Sequence, residues 1–369
     1  RSVGVTGVQT CALPIFRSPE PFDGKTRKVV MNQLSERTDP DLRDPIRYAR
    51  FFLKRNFGSI LTIIVLLLMI FASDSLRNVF FRPSNLVFVL RQLSVYLLVS
   101  CGLTFVILSG GIDISVGSTL SFSAMAAAVA VGTRGLPLGL GILSGLAAGI
   151  TIGALNGALI SWMTIPPFIV TIATFSIFRG AAFLLSNGAS VRVSVDGWDW
   201  LGKATLFGIP VCFFAALLIY VPAWILLNKT TFGKHIYAIG ENPQAADFSG
   251  INVSKVRRIA YLLSGFSAGM AGVIAASRLS SVVPTSGYDY EIDALAAIVI
   301  GGTSIRGGSG RLSGTFFGCV LITVLASALM ILTINSYWRF VIKGVVILVG
   351  VAIEFYRYRR KSGRAAPLN

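Results

Sequence analysis

The feature that most constrains this chain is a succession of long apolar runs between positions 58 and 356, each closed by glycine, proline or a cluster of basic residues. A run of about 20 apolar residues crosses the hydrocarbon core of a bilayer as a helix. Backbone placed there must satisfy its own hydrogen bonds, and a helix does so within one segment. Composition agrees with a lipid environment. Of the 369 residues, 54% are hydrophobic and only 13% are charged, against about 25% charged in a soluble globular chain. Mean hydropathy is +0.73. The 38 glycines suit helices whose backbones approach closely in lipid. The expected fold class is therefore all-α, a polytopic membrane protein.

A net charge of +17 would suggest nucleic acid in a soluble protein. In this chain the basic residues gather at the ends of apolar runs and in a few loops, as cytoplasmic loops require. No nucleic-acid motif accompanies them, so no nucleic-acid partner is expected. Arg43, Arg47, Arg50, Lys54 and Arg55 precede the first run and place the N-terminus in the cytoplasm. Spans are expected at about 58–73, 86–109, 115–132, 138–162, 167–186, 209–228, 258–278, 291–301, 312–333 and 338–356. The count is about ten transmembrane helices, with both termini cytoplasmic and a basic tail at 357–369. The eighth run is too short to cross as a helix and is expected to be tilted or re-entrant. It is kept because two cytoplasmic termini require an even number. The polar stretch 187–208 carries Trp198 and Trp200, a pair suited to the headgroup level.

Residues 1–30 stand apart from this pattern. The run VTGVQTCALPI, from Val5 to Ile15, matches the translation of a sequencing-adapter oligonucleotide, and Met31 offers a native start. Segment 1–30 is read as non-native and left out of the fold reasoning; a genuine N-terminal extension is the other reading. The basic excess survives its removal. Residues 31–56 then form a cytoplasmic N-terminal segment and 57–356 the membrane domain, with a long cytoplasmic loop at 229–256.

Three stretches could carry function. In the 229–256 loop, Asn242-Pro243 breaks the chain, Pro243 to Phe248 reads as a short helix, and Ser249-Gly250 stops it. Ala245 and Ala246 give that helix a slim face, which fits either a partner's groove or an ordinary connection. In SGGIDISVGS (109–118), Gly110-Gly111 interrupts an apolar region and Asp113 follows at membrane depth. Intramembrane carboxylates are costly and usually face a cavity or a partner. Asp113 and Ser115 could line the path of a polar solute, or Asp113 could cap the next span. IGGTSIRGGSGRLSG (300–314) lacks the Gly-Lys-Ser/Thr of a phosphate loop and reads as a hinge. Its Gly301, Gly302 and Thr303 join Gly110, Gly111, Asp113 and Ser115 as candidates for the translocation path.

Arg179 and Lys343 lie inside apolar spans, and Glu291 and Asp293 begin the eighth. They could snorkel to headgroups or form interior ion pairs. Cys101, Cys212 and Cys319 sit in apolar runs without metal or disulfide spacing. His235 is the single histidine. No metal site and no catalytic set is legible, so no enzyme is expected.

The segments LTFVILSGGIDISVGSTLSFS (103–123), GENPQAADFSGINVSKVRRIAY (240–261) and YEIDALAAIVIGGTSIRGGSGRLSGTFFG (290–318), in that order and spacing, resemble the ribose/xylose-type monosaccharide permeases of ATP-binding-cassette importers. The resemblance runs from about residue 57 to the C-terminus. It implies a multi-pass inner-membrane subunit without a cofactor of its own. ATP and magnesium would sit on a separate ATPase. A periplasmic sugar-binding protein would deliver the substrate to a pair of permease copies embedded in membrane lipid. The family's coupling segment matches Gly240, Asn242, Ala245, Ala246, Ser249 and Gly250, while Arg306 departs from the small residue common in relatives. The implied function is import of a monosaccharide, a pentose such as ribose or xylose, by alternating access. A self-sufficient secondary transporter is the rival. It needs ion-coupling carboxylates at mid-membrane, and this chain has few.

Overall fold

The structure is a computed structural model and describes residue 71 and residues 74–362. Segments 1–30 and 31–56, nearly all of the first expected span and the end of the tail lie outside the described residues. The described elements run α1 (Asp74–Phe80), α2 (Pro83–Leu108), α3 (Val116–Ala128, continued by a π-helical turn Val129–Thr133), α4 (Leu138–Trp162) and α5 (Pro167–Leu185). A small region of β1 (Val191–Arg192), α6 (Trp200–Lys203), β2 (Thr205–Leu206) and β3 (Ile209–Pro210) follows. Then come α7 (Val211–Lys229), α8 (Thr231–Glu241), α9 (Pro243–Phe248), α10 (Val253–Ser277), β4 (Ser281–Val282), α11 (Tyr290–Ile300), α12 (Leu312–Ile331) and α13 (Ser336–Ser362).

Seven of these are long and apolar enough to cross a membrane: α2, α3 with its π turn, α4, α5, α7, α10 and α12. They fall on the expected runs within a few residues. The short eighth run is the 11-residue α11, and the last is the 27-residue α13. The chain is mostly helical, but the all-α expectation needs one correction. The stretch 187–210 carries short strands. Its β1 pairs antiparallel with β4, Val191 opposite Val282, and β2 pairs with β3. Trp198 is buried and donates its indole N–H to the Leu279 carbonyl at 3.2 Å, while Trp200 is exposed.

Helix α10 is the hub, packed on α2, α3 and α4. Its contact with α4 is made by glycine against glycine. A Cβ on Gly149 would fall 2.6 Å from the Gly269 Cα, and one on Gly153 would fall 2.9 Å from the Gly265 Cα. Apolar side chains gain little by leaving lipid for a helix interface, so such contacts rely on close backbone packing. Helices α2, α3, α10 and α12 form the buried interior, whereas α4, α5 and α7 turn most of their surface outward. Leu143, Ile177, Leu184 and Leu218 on that outer face are exposed, as a lipid-facing surface requires.

Candidate functional site

The glycine break after α2 is a helix stop. Ser109 caps the helix, Gly110 takes φ +79°, its N–H bonds the Ile107 carbonyl at 2.9 Å, and the Gly111 N–H bonds Val106 at 3.0 Å. This paired closure needs a left-handed residue, which glycine supplies without strain. Gly250 closes α9 and Gly302 closes α11 by the same two bonds. The glycines singled out in three separate motifs therefore share one local cause.

Those three motifs also meet. The Gly308 N–H donates to the Leu108 carbonyl at 3.0 Å. Gly240, near the end of α8, packs its Cα against both groups, so a Cβ there would overlap the Leu108 oxygen and the Gly308 nitrogen. A Cβ on Gly307 would fall 2.8 Å from the Gly110 Cα. The Tyr237 hydroxyl donates to the Gly310 carbonyl at 2.9 Å. Burial raises the Tyr237 phenol above its ordinary range, so it stays a donor. The end of α2, the α8–α9 segment and the α11–α12 loop are thus joined backbone to backbone.

Asp113 follows the same break. It is buried and accepts three hydrogen bonds. The Ser115 N–H at 3.0 Å and Ser115 hydroxyl at 2.6 Å reach Oδ1, and the Ser264 hydroxyl at 2.8 Å reaches Oδ2. The Asn156 amide donates to the Ser115 Oγ at 2.8 Å. The Ile112 carbonyl accepts from Tyr261 at 3.2 Å and from Thr171 at 3.3 Å. A Cβ on Gly111 would lie 2.6 Å from the Tyr261 hydroxyl. Arg258 stands over the Trp162 ring at 5.8 Å and marks one rim of the bundle, as basic and aromatic residues do at an interface. Ser264 and Asn156 each lie six residues inward of that pair, roughly 9 Å at the rise of a helix. Asp113 ties the start of α3 to α10 through Ser115 and Ser264, and makes no cap bond to the first turn of α3.

At the other motif, Gly301 packs on the start of α12, where a Cβ would meet the Thr315 nitrogen at 2.7 Å. Thr303 is fully buried. Both belong to the connection between α11 and α12.

The short helix α9 forms as its sequence dictates. The Asn242 side chain accepts from the Ala245 N–H at 3.0 Å, and Pro243 occupies the first turn. Its slim face needs a correction. Ala246 is 4% exposed and belongs to the apolar core with Val256 and Ile239, so it faces the protein's own interior. The outward side carries Gln244, Ala245, Asp247, Ser249 and above all Phe248, which is 92% exposed. Sequence reasoning passed over Phe248, although an aromatic residue in a polar loop is a signal in itself.

The intramembrane charges form interior ion pairs, and the snorkelling reading is set aside for both cations. Arg179 on α5 approaches Glu291 at 3.5 Å and lies over the rings of Tyr288 and Phe175. Lys343 on α13 donates to Asp293 at 2.7 Å, and the Tyr96 hydroxyl adds a bond at 2.8 Å. Burial explains the pairing: a lone charge at such a site is far more costly than a matched pair. The first turn of α11 is thereby held from two sides.

Seven helices long and apolar enough to cross a bilayer define a multi-pass membrane protein. Comparison with known proteins gives the family. Residues 85–350 match the model described as branched-chain amino acid transport system / permease component, and the chain belongs to this permease family. It is 37% identical over 309 residues to the ribose import permease protein RbsC of Escherichia coli (strain K12), covering 83% of this chain and 96% of the relative. The ribose import permease protein RbsC of Bacillus subtilis (strain 168) is 39% identical over 310 residues, 84% and 94% of the two chains. The D-allose transport system permease protein AlsC of Escherichia coli (strain K12) is 35% identical over 313 residues, 85% and 94%. No solved structure matches the chain.

Proposed function

We propose that this chain is the membrane-spanning permease subunit of an ATP-binding-cassette importer for a monosaccharide, a pentose of the ribose kind. The observation that carries the reading is the backbone junction of Gly240, Leu108, Gly307 and Gly308. It sits in a chain 35–39% identical to ribose and allose import permeases over more than four fifths of its length. An importer of this class hydrolyses ATP on a separate subunit. It needs a mechanical link from that subunit to its spanning helices, and the junction connects α8–α9 to α2 and to the α11–α12 pair.

In this account Phe248 and its neighbours Gln244, Ala245 and Ser249 dock on the ATPase, with Asn242 and Gly250 fixing the helix that presents them. Ala246 and Gly240 act from behind by seating the segment. The spanning count is ten, with both termini on the cytoplasmic side, α11 entering as a short re-entrant helix and α13 completing the set. Two copies of the chain form the pathway in the bacterial inner membrane, a sugar-binding protein supplies substrate from outside, and ATP with magnesium binds on the ATPase alone. The test is co-purification of the ATPase with Phe248→Asp. The account expects the chain at wild-type abundance with the ATPase lost. Retention of the ATPase at wild-type level would move docking away from α9.

A further inference from the structure

At the end of the bundle opposite the glycine junction lies a cavity of about 310 Å³ between α2, α11, α12 and α13. Tyr96, on its wall, is 12 residues before Leu108, or about 18 Å along α2. The volume is near the lower limit of ligand pockets, which run from about 300 to 1,000 Å³, so the occupant is small. We propose that this cavity is a binding site for the monosaccharide; this rests on the importer reading above.

The lining favours a neutral polyol. Two acids, Asp289 and Asp293, are matched by two bases, Arg339 and Lys343, so neither an anion nor a cation is preferred by net charge. Lys343 and Asp293 already neutralise one another at 2.7 Å, and the ammonium keeps further N–H donors for hydroxyl groups. Asp293 is fixed by Tyr96 at 2.8 Å, and Tyr96 packs on Tyr290 with ring centroids 5.1 Å apart. Rigid polar groups of both signs beside aromatic faces suit a ring with hydroxyls on its edge and C–H groups on its faces. Phe88 and Ala326 are apolar members of the wall, so a change in their size changes the space.

The width is testable. Initial uptake of D-ribose and D-allose is measured in cells making the chain with its ATPase and binding protein. Two variants change the cavity in opposite senses, Ala326→Leu narrowing it and Phe88→Ala widening it. A single methylene in a pocket is worth roughly tenfold or more in discrimination. The ratio of allose to ribose uptake is therefore expected to fall at least about threefold in the first variant and rise at least about threefold in the second. Opposite shifts cannot come from misfolding, which would lower both sugars together. An unchanged ratio in both variants, or loss of both sugars together, overturns the site while leaving the importer reading in place. If the wild type imports neither sugar, or imports L-leucine instead, the importer reading fails and the site falls with it.

Discussion

The backbone junction makes Gly240→Ala a sharp perturbation. The added methyl would lie between the Leu108 carbonyl and the Gly308 N–H, groups now bonded at 3.0 Å. Both obstacles are main chain and cannot rotate away. Losing that bond costs about 0.5–1.5 kcal/mol, and overpacking a close contact about 1–3 kcal/mol. Alanine returns about 1 kcal/mol of helix propensity near the end of α8. The net expectation is a destabilisation of about 1–3 kcal/mol, concentrated where α8 meets α2. Gly180→Ala on α5 is the control, since a Cβ there has no neighbour within 4 Å, and it should be neutral or mildly stabilising. The assay pairs thermal unfolding of the purified chain with substrate-stimulated ATP hydrolysis by the full transporter. Gly240→Ala should unfold at a lower temperature and hydrolyse ATP with weakened response to substrate. If Gly240→Ala and Gly180→Ala behave alike in both measurements, the junction is not a tight mechanical contact.

Asp113→Ala leaves the Ser115 N–H and Ser264 hydroxyl buried without their acceptor, at a cost on the order of 3 kcal/mol. Membrane abundance and uptake should fall together, and less so for Asp113→Asn. Intact abundance with lost uptake would give Asp113 a part in transport rather than in the fold. Ala246→Glu places a charge in the apolar core behind α9 and should cost roughly 3–5 kcal/mol, seen as reduced abundance; normal abundance would mean Ala246 faces outward. Arg179→Met and Glu291→Gln each break a pair whose side chains are 11% and 10% exposed. Each should cost roughly 3–5 kcal/mol, with the double variant recovering part of the loss. Simple additivity in a denaturation cycle would show that the two groups do not interact.

The spans were legible because their signal is local. Apolar length alone places α2, α4, α5, α7, α10 and α12, and glycine or proline marks most of their ends. The limits of α9 were equally readable, since Asn242, Pro243 and Gly250 fix it by short-range hydrogen bonds. What the sequence concealed is which side of an element faces inward. Ala245 and Ala246 look equivalent in a polar loop, and only packing on Val256 and Ile239 separates them. The same holds for Asp113. Its acceptor role was foreseeable, but its donor Ser264 lies 151 residues away, and nothing in a single sequence joins them. Asn156 was the missed clue, because an amide in an apolar run asks for a buried partner. That Trp198 is buried and Trp200 exposed was not legible, because closeness in sequence says nothing of the packing that buries one of them.

The central claim is that transport through this chain is driven by ATP hydrolysis on a partner subunit. Radiolabelled D-ribose uptake should be followed in cells making the chain and its binding protein with either an active or a hydrolysis-deficient ATPase, each with and without a protonophore at maintained ATP. The account predicts uptake only with the active ATPase and little effect of the protonophore. Uptake that persists with the deficient ATPase and collapses with the ion gradient would contradict it and make the chain a self-sufficient secondary transporter.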